Sequence, residues 1–118
     1  MELPIVKLCM PKRNELLPGT LEMLLLRTLS LGTMHGYGIA LHITRMSKEV
    51  LRVEEGSLYP ALQRMRLKGW VNSEWRLTPT HRRARYYRLT ALGRKQLGIE
   101  HSTFARMVEA IGRVMQEG

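Results

Sequence analysis

The chain reads as a mainly α fold with one small β-hairpin: a winged helix-turn-helix unit followed by a long C-terminal helix. Three observations predict this α+β class. Helical periodicity governs three short stretches between residues 18 and 69, each bounded by glycine, proline or a hydroxyl residue. From Trp70 to Leu89 the period changes to alternation, interrupted by a polar, basic loop. After Thr90 an apolar stripe returns at steps of three and four residues and lasts to Met115. The organisation that follows is an N-terminal arm over residues 1–17, a winged helix-turn-helix domain over 18–90 and a C-terminal dimerisation helix over 91–118.

In the arm, Leu3, Ile5, Val6, Leu8 and Met10 are apolar without a clean period, and Pro4 and Pro11 interrupt them. Pro18-Gly19-Thr20 carries the chemistry of a helix start, with Thr20 as the cap and Glu22 in the first turn. Leu21, Leu24, Leu25, Thr28 and Leu29 make its core face, and Gly32 ends it. Gly36-Tyr37-Gly38 opens a second helix with Ile39, Ala40, Ile43 and Met46 on one side. Thr33-Met34-His35 is read as a short connection between the two.

The third helix is the best marked. Pro60 lacks an N–H and is tolerated in a first turn, so the helix is expected to begin near Gly56 or Ser57, with Ser57 as cap and Gly69 as stop. Leu58, Ala61, Leu62 and Met65 form one apolar stripe. Tyr59, Gln63, Arg64, Arg66 and Lys68 leave the other side cationic and rich in hydrogen-bonding groups, which suits insertion into a DNA major groove. Residues 70–76 then read as a strand, 77–83 as a loop and 85–89 as the returning strand, a wing whose tip carries Arg82, Arg83 and Arg85. A loop with three arginines and no apolar purpose is placed to lie on phosphates. Thr90 can cap the last helix.

Composition narrows the function. The formal net charge is +9 over 118 residues. Between Trp75 and Ile99 there are seven basic residues and no acidic one, which leaves twelve basic and ten acidic residues elsewhere, so the positive field is concentrated on the wing and the start of the last helix. This predicts a polyanionic partner, nucleic acid first and an anionic membrane surface second, and with the cationic face of the third helix double-stranded DNA is the expected one. Cys9 is the only cysteine, so no disulfide closes within the chain, and its position near the arm suggests at most a redox link between subunits. The longest apolar run, Met23 to Leu26, is too short to cross a bilayer, and a cytoplasmic protein is expected. Four scattered histidines and the absence of a metalloprotease, phosphate-loop or nucleophile-elbow motif argue against an enzyme, a metal centre or a cofactor.

The last helix is longer than this domain needs. Leu97, Phe104, Met107, Val108, Ile111, Val114 and Met115 would have little of their own chain to cover them, so pairing with the same helix of a second subunit is expected.

Five segments in order resemble the PadR family of winged-helix transcriptional regulators: Gly19-Thr20-Leu21, His35-Gly36-Tyr37-Gly38-Ile39, Gly56-Ser57-Leu58-Tyr59-Pro60-Ala61-Leu62, Gly69-Trp70 with Trp75, and Arg85-Tyr86-Tyr87-Arg88-Leu89-Thr90-Ala91-Leu92-Gly93. The resemblance spans roughly residues 18–100. It implies a dimeric, repressor-type regulator on a palindromic operator. It also puts Ser57, Tyr59 and Arg64 at the DNA, Tyr37 at the flanking backbone, and Arg82 and Arg83 at the wing. Arg64 has the chemistry to reach a guanine bidentately, whereas Tyr37, Ser57 and Tyr59 suit phosphate contacts that fix register.

Some members of that family place an aromatic residue, often tryptophan, in the last helix, where two subunits enclose an apolar ligand. Here Phe104 is the only aromatic residue in that helix, and both tryptophans belong to the wing. The seam therefore reads as dry, with Phe104, Met107, Val108 and Ile111 as the residues a small apolar effector would meet. The alternative function is a winged helix that docks protein or RNA without reading DNA sequence.

Overall fold

The computed structural model describes residues 19–116, so the arm and Cys9 lie outside the described residues. Four helices, α1 (Thr20–Leu29), α2 (Gly36–Met46), α3 (Glu55–Leu67) and α4 (Ala91–Met115), combine with three strands, β1 (Met34–His35), β2 (Val71–Leu77) and β3 (Arg83–Leu89). The sheet is antiparallel in the order β1-β3-β2.

The core lies where the apolar faces of α1, α2 and α3 meet the inner face of the sheet. Leu25, Leu26 and Leu29 come from α1, Ile39 and Ile43 from α2, Leu58, Ala61, Leu62 and Met65 from α3, and Val71, Tyr87 and Leu89 from the hairpin. The α3 stripe read from the sequence is buried in full. Met46, placed by its spacing on the core face of α2, instead sits at the last residue of that helix and is 70% exposed, because the helix ends before anything can cover it.

Two helix starts differ from the sequence reading. Gly19, not Thr20, is the residue before α1, in a left-handed conformation at φ 87° that only glycine adopts without strain. Ser57 is not the cap of α3. Glu54 precedes that helix, and its carbonyl accepts from the N–H groups of both Ser57, at 2.9 Å, and Leu58, at 2.8 Å. The backbone itself closes the first turn. Pro60 thus falls in the second turn and leaves the Gly56 carbonyl without its helical partner, a cost that the exposure of both residues reduces by admitting water.

The stop is as expected. Gly69 at φ 81° turns the chain, and the N–H of Trp70 reaches back to the Met65 carbonyl at 2.9 Å. The first wing strand is shifted by one residue and the returning strand is two residues longer than predicted, pairing from Val71 with Leu89 out to Leu77 with Arg83, so only residues 78–82 form the tip. That tip is ordered by Thr78. Its N–H donates to the Arg82 carbonyl at 2.7 Å, and its Oγ1 accepts from the Arg82 N–H at 3.1 Å.

Thr90 caps α4 as expected, accepting from the Gly93 N–H at 3.0 Å, and its hydroxyl donates to the Gly69 carbonyl at 2.6 Å. One side chain thereby ties the end of α3 to the start of α4. Replacing it should show both losses: Thr90→Ala is expected to cost about 1–2 kcal/mol in urea unfolding, while Thr90→Ser retains most of the stability.

Candidate nucleic-acid interface

Successive residues of α3 are about 100° apart around its axis. With Leu58, Ala61, Leu62 and Met65 inward, the opposite side consists of Gly56, Pro60, Gln63 and Leu67. Tyr59 and Arg66 flank this outward strip on one side, Ser57 and Arg64 on the other. All of these except Arg66 are exposed, and Arg66 is half-buried.

Tyr59 leans toward α2, where its ring lies over Gly36: a β-carbon built there would fall 2.5 Å from the phenol oxygen. The first glycine of His35-Gly36-Tyr37-Gly38 thus makes room for a side chain of the next helix. Burial there, with the Glu55 carboxylate and Tyr87 adding to it, pushes the Tyr59 phenol above its ordinary pKa. At neutral pH it is a proton donor. Tyr37, 69% exposed, stands at the start of α2 beside His35, whose Nδ1 accepts from the Gly38 N–H at 3.0 Å and so caps that helix.

Arg64 is held. Its Nε donates to Oε2 of Glu22 on α1 at 3.0 Å, a contact the sequence reading did not contain, and both Nη groups lie outside that bond. With the guanidinium half in water the pair is worth about 1 kcal/mol or less, so a stronger acceptor can compete for it. Gln63 accepts at Oε1 from Arg66 Nε at 3.2 Å, which leaves its amide N–H groups as donors on the most outward part of α3.

The wing supplies the remaining cations. Trp75 and Arg85 are directly opposed in the ladder, and Arg83 lies two residues along on the same face. The guanidinium carbons of Arg83 and Arg85 sit 4.9 and 5.3 Å from the centre of the Trp75 ring. Tyr37, Tyr59, Trp75, Arg82, Arg83 and Arg85 line one cleft of about 810 Å³ between the wing and the starts of α2 and α3. Five of the eight residues predicted to touch DNA thus share a concavity, while Ser57, Gln63 and Arg64 lie on the outer side of α3. Trp75 was missed as a member of this group. Its parity with Arg83 and Arg85 depends on the length of the hairpin tip, which reads as 77–83 in the sequence and is 78–82 in the structure.

A family model for the transcriptional regulator PadR-like family matches residues 25–99, more than half of the chain. The chain belongs to the PadR family of transcriptional regulators. A solved transcriptional regulator from Clostridium thermocellum is similar at 26% identity and a TM-score of 0.76, covering 83% of this chain and 95% of that one. A PadR family regulator from Eggerthella lenta shares the fold, with a TM-score of 0.76 at 24% identity over 97% of this chain and 95% of that one. An uncharacterized protein of Lysinibacillus sphaericus is 25% identical over 104 residues, 88% of this chain and 95% of its own. The family is regulatory and not enzymatic. Among the described residues no three His, Cys, Asp or Glu side chains gather as a metal site, and no helix is long and apolar enough to cross a membrane.

In this PadR-family chain α4 leaves the domain after its first turns. Gly93 is buried and Leu97, assigned to the dimer seam from its spacing, packs partly against the chain's own core. From His101 onward every described residue is exposed, including Phe104 at 41%, Met107 at 55%, Val108 at 50%, Ile111 at 53% and Met115 at 75%. Among the described residues nothing covers the stripe.

Proposed function

We propose that this PadR-family regulator is a homodimeric, sequence-specific repressor that binds a palindromic operator in the cytoplasm. In this reading α3 enters the major groove, and Gln63 and Arg64 read base edges. Tyr37, Ser57 and Tyr59 donate to phosphates, and Arg82, Arg83 and Arg85 follow the backbone. Phe104, Met107, Val108, Ile111 and Met115, with Leu97 at the inner end, close a dry seam between two copies of α4. The observation that carries it is the convergence of two tyrosines and three wing arginines on one cleft beside the outward strip of α3.

Selection of duplexes from a random DNA pool, at low and moderate salt, tests the proposal. A two-fold palindrome with half-sites about one helical turn apart, or a multiple of it, is the expected product. Salt-sensitive binding with no enriched sequence would leave a basic winged helix that docks RNA or protein.

Arg64→Ala and Gln63→Ala are expected to change which bases are preferred in one half-site position each, at a cost of about 1–3 kcal/mol on the best sequence. Arg82→Ala should weaken every duplex by a similar factor and flatten the salt dependence. A change at Arg64 as sequence-blind as one at Arg82 would remove α3 from base readout.

A further inference from the structure

Arg83 and Arg85 project from one face of one strand, two residues and roughly 7 Å of strand apart. Two guanidinium groups at that spacing repel, and solvated side chains would splay. Here both instead approach the same indole, at 4.9 and 5.3 Å from its centre. The negative face of the ring attracts each cation, and the shared ring holds both within the cleft that Tyr37 and Tyr59 line from the other side. Trp75 itself is 55% exposed, so its core contribution is small.

Arg85 adds an independent observation. Its Nε is buried with no hydrogen-bond partner among the described residues. A buried donor left unsatisfied is costly, and an anion in the cleft would relieve that cost by drawing the guanidinium outward. The cleft lies between the element placed in the major groove and the wing. The strand that separates two grooves of a duplex is a sugar-phosphate backbone.

We propose that the cleft between wing and α3 receives one sugar-phosphate strand of duplex DNA and that Trp75 is its positioning residue, stacking Arg83 and Arg85 into a paired phosphate clamp opposite the phenols of Tyr37 and Tyr59. Trp75 touches the arginines and acts through them. The inference rests on the DNA-binding reading above.

The test compares Trp75→Leu, Trp75→Phe and Arg85→Lys with the full-length wild-type protein, titrating one selected duplex and one scrambled duplex across a range of salt. Trp75→Leu is expected to weaken both duplexes by about the same factor, on the order of tenfold at moderate salt. Its plot of log affinity against log salt should lose about 0.9 of slope for each phosphate contact given up. Trp75→Phe, which keeps a ring face, should recover part of both quantities. Arg85→Lys keeps the charge and loses the planar stack, so it should share the defect. Unfolding midpoints of the three variants should stay near wild type.

An unchanged salt slope in Trp75→Leu, or full wild-type behaviour of Arg85→Lys, would overturn the clamp while leaving DNA binding in place. A loss restricted to the selected duplex would also overturn it, because it would make Trp75 part of base readout. Failure of the wild type to bind either duplex would instead overturn the DNA-binding reading and this inference with it.

Discussion

Gly93→Ala is expected to destabilise the protein by about 3 kcal/mol or more, although the same exchange inside an exposed helix usually stabilises. A β-carbon at residue 93 would lie 2.1 Å from the Trp70 carbonyl oxygen and 2.7 Å from Cδ1 of Leu89. The leucine end can rotate, but the carbonyl has nowhere to go. It accepts from the Thr90 N–H at 3.0 Å and belongs to the link between the Gly69 turn and β2. Relief therefore requires α4 to move away from the hairpin, which breaks the Thr90 cap. Gly98→Ala is the control. No atom lies within 4 Å of a β-carbon there, and it should gain about 0.5–1 kcal/mol by helix propensity alone. Urea unfolding at one fixed protein concentration would show opposite signs for two identical substitutions five residues apart; a mild effect at 93 would mean that α4 and the hairpin separate easily.

On the proposed dimeric reading, Ile111→Glu is expected to convert the dimer to a monomer and to reduce affinity for a palindromic operator by about 10²–10⁴-fold, the factor lost when two linked heads become independent. Ile111 is central among Phe104, Met107, Val108, Met115 and itself, all on one side of α4 and all exposed in a single chain. A carboxylate there would have to be desolvated against a second apolar stripe. Arg106→Glu, on the opposite side of the helix, introduces the same carboxylate and should leave the assembly intact. Sedimentation measures the assembly and operator titration the affinity. Dimers that persist in Ile111→Glu would move the interface to another part of the chain.

Much of this architecture is legible in the sequence because its signals are local. Gly69 as a stop and Thr90 as a cap act on backbone groups within a few residues, and the α3 stripe repeats often enough to declare its period. Contacts between distant elements are not legible in the same way. Glu22 and Arg64 meet across 42 positions, and nothing in either segment names the other. Tyr59 explains Gly36 only once α2 and α3 are packed. Strand β1 has two residues, too few for alternation to show, and it becomes a strand only because Tyr86 and Tyr87 pair with it. The cap expected at Ser57 failed because a hydroxyl near a proline is a common signal, and the Glu54 carbonyl had already closed the turn.

The junction at Thr90 and Gly93 has a mechanical consequence. The end of α3, the base of the wing and the first turn of α4 meet at one hydrogen-bonded, tightly packed point, so the head and the long helix are coupled as one arm. With 25 residues at 1.5 Å each, that helix is roughly 38 Å long. Tilting it by a few degrees at its far end swings the reading surface by ångströms, comparable with the 3.4 Å step between neighbouring phosphates along one strand's axis. In the proposed dimer of such arms, operator spacing would be a property of the angle at which the helices cross.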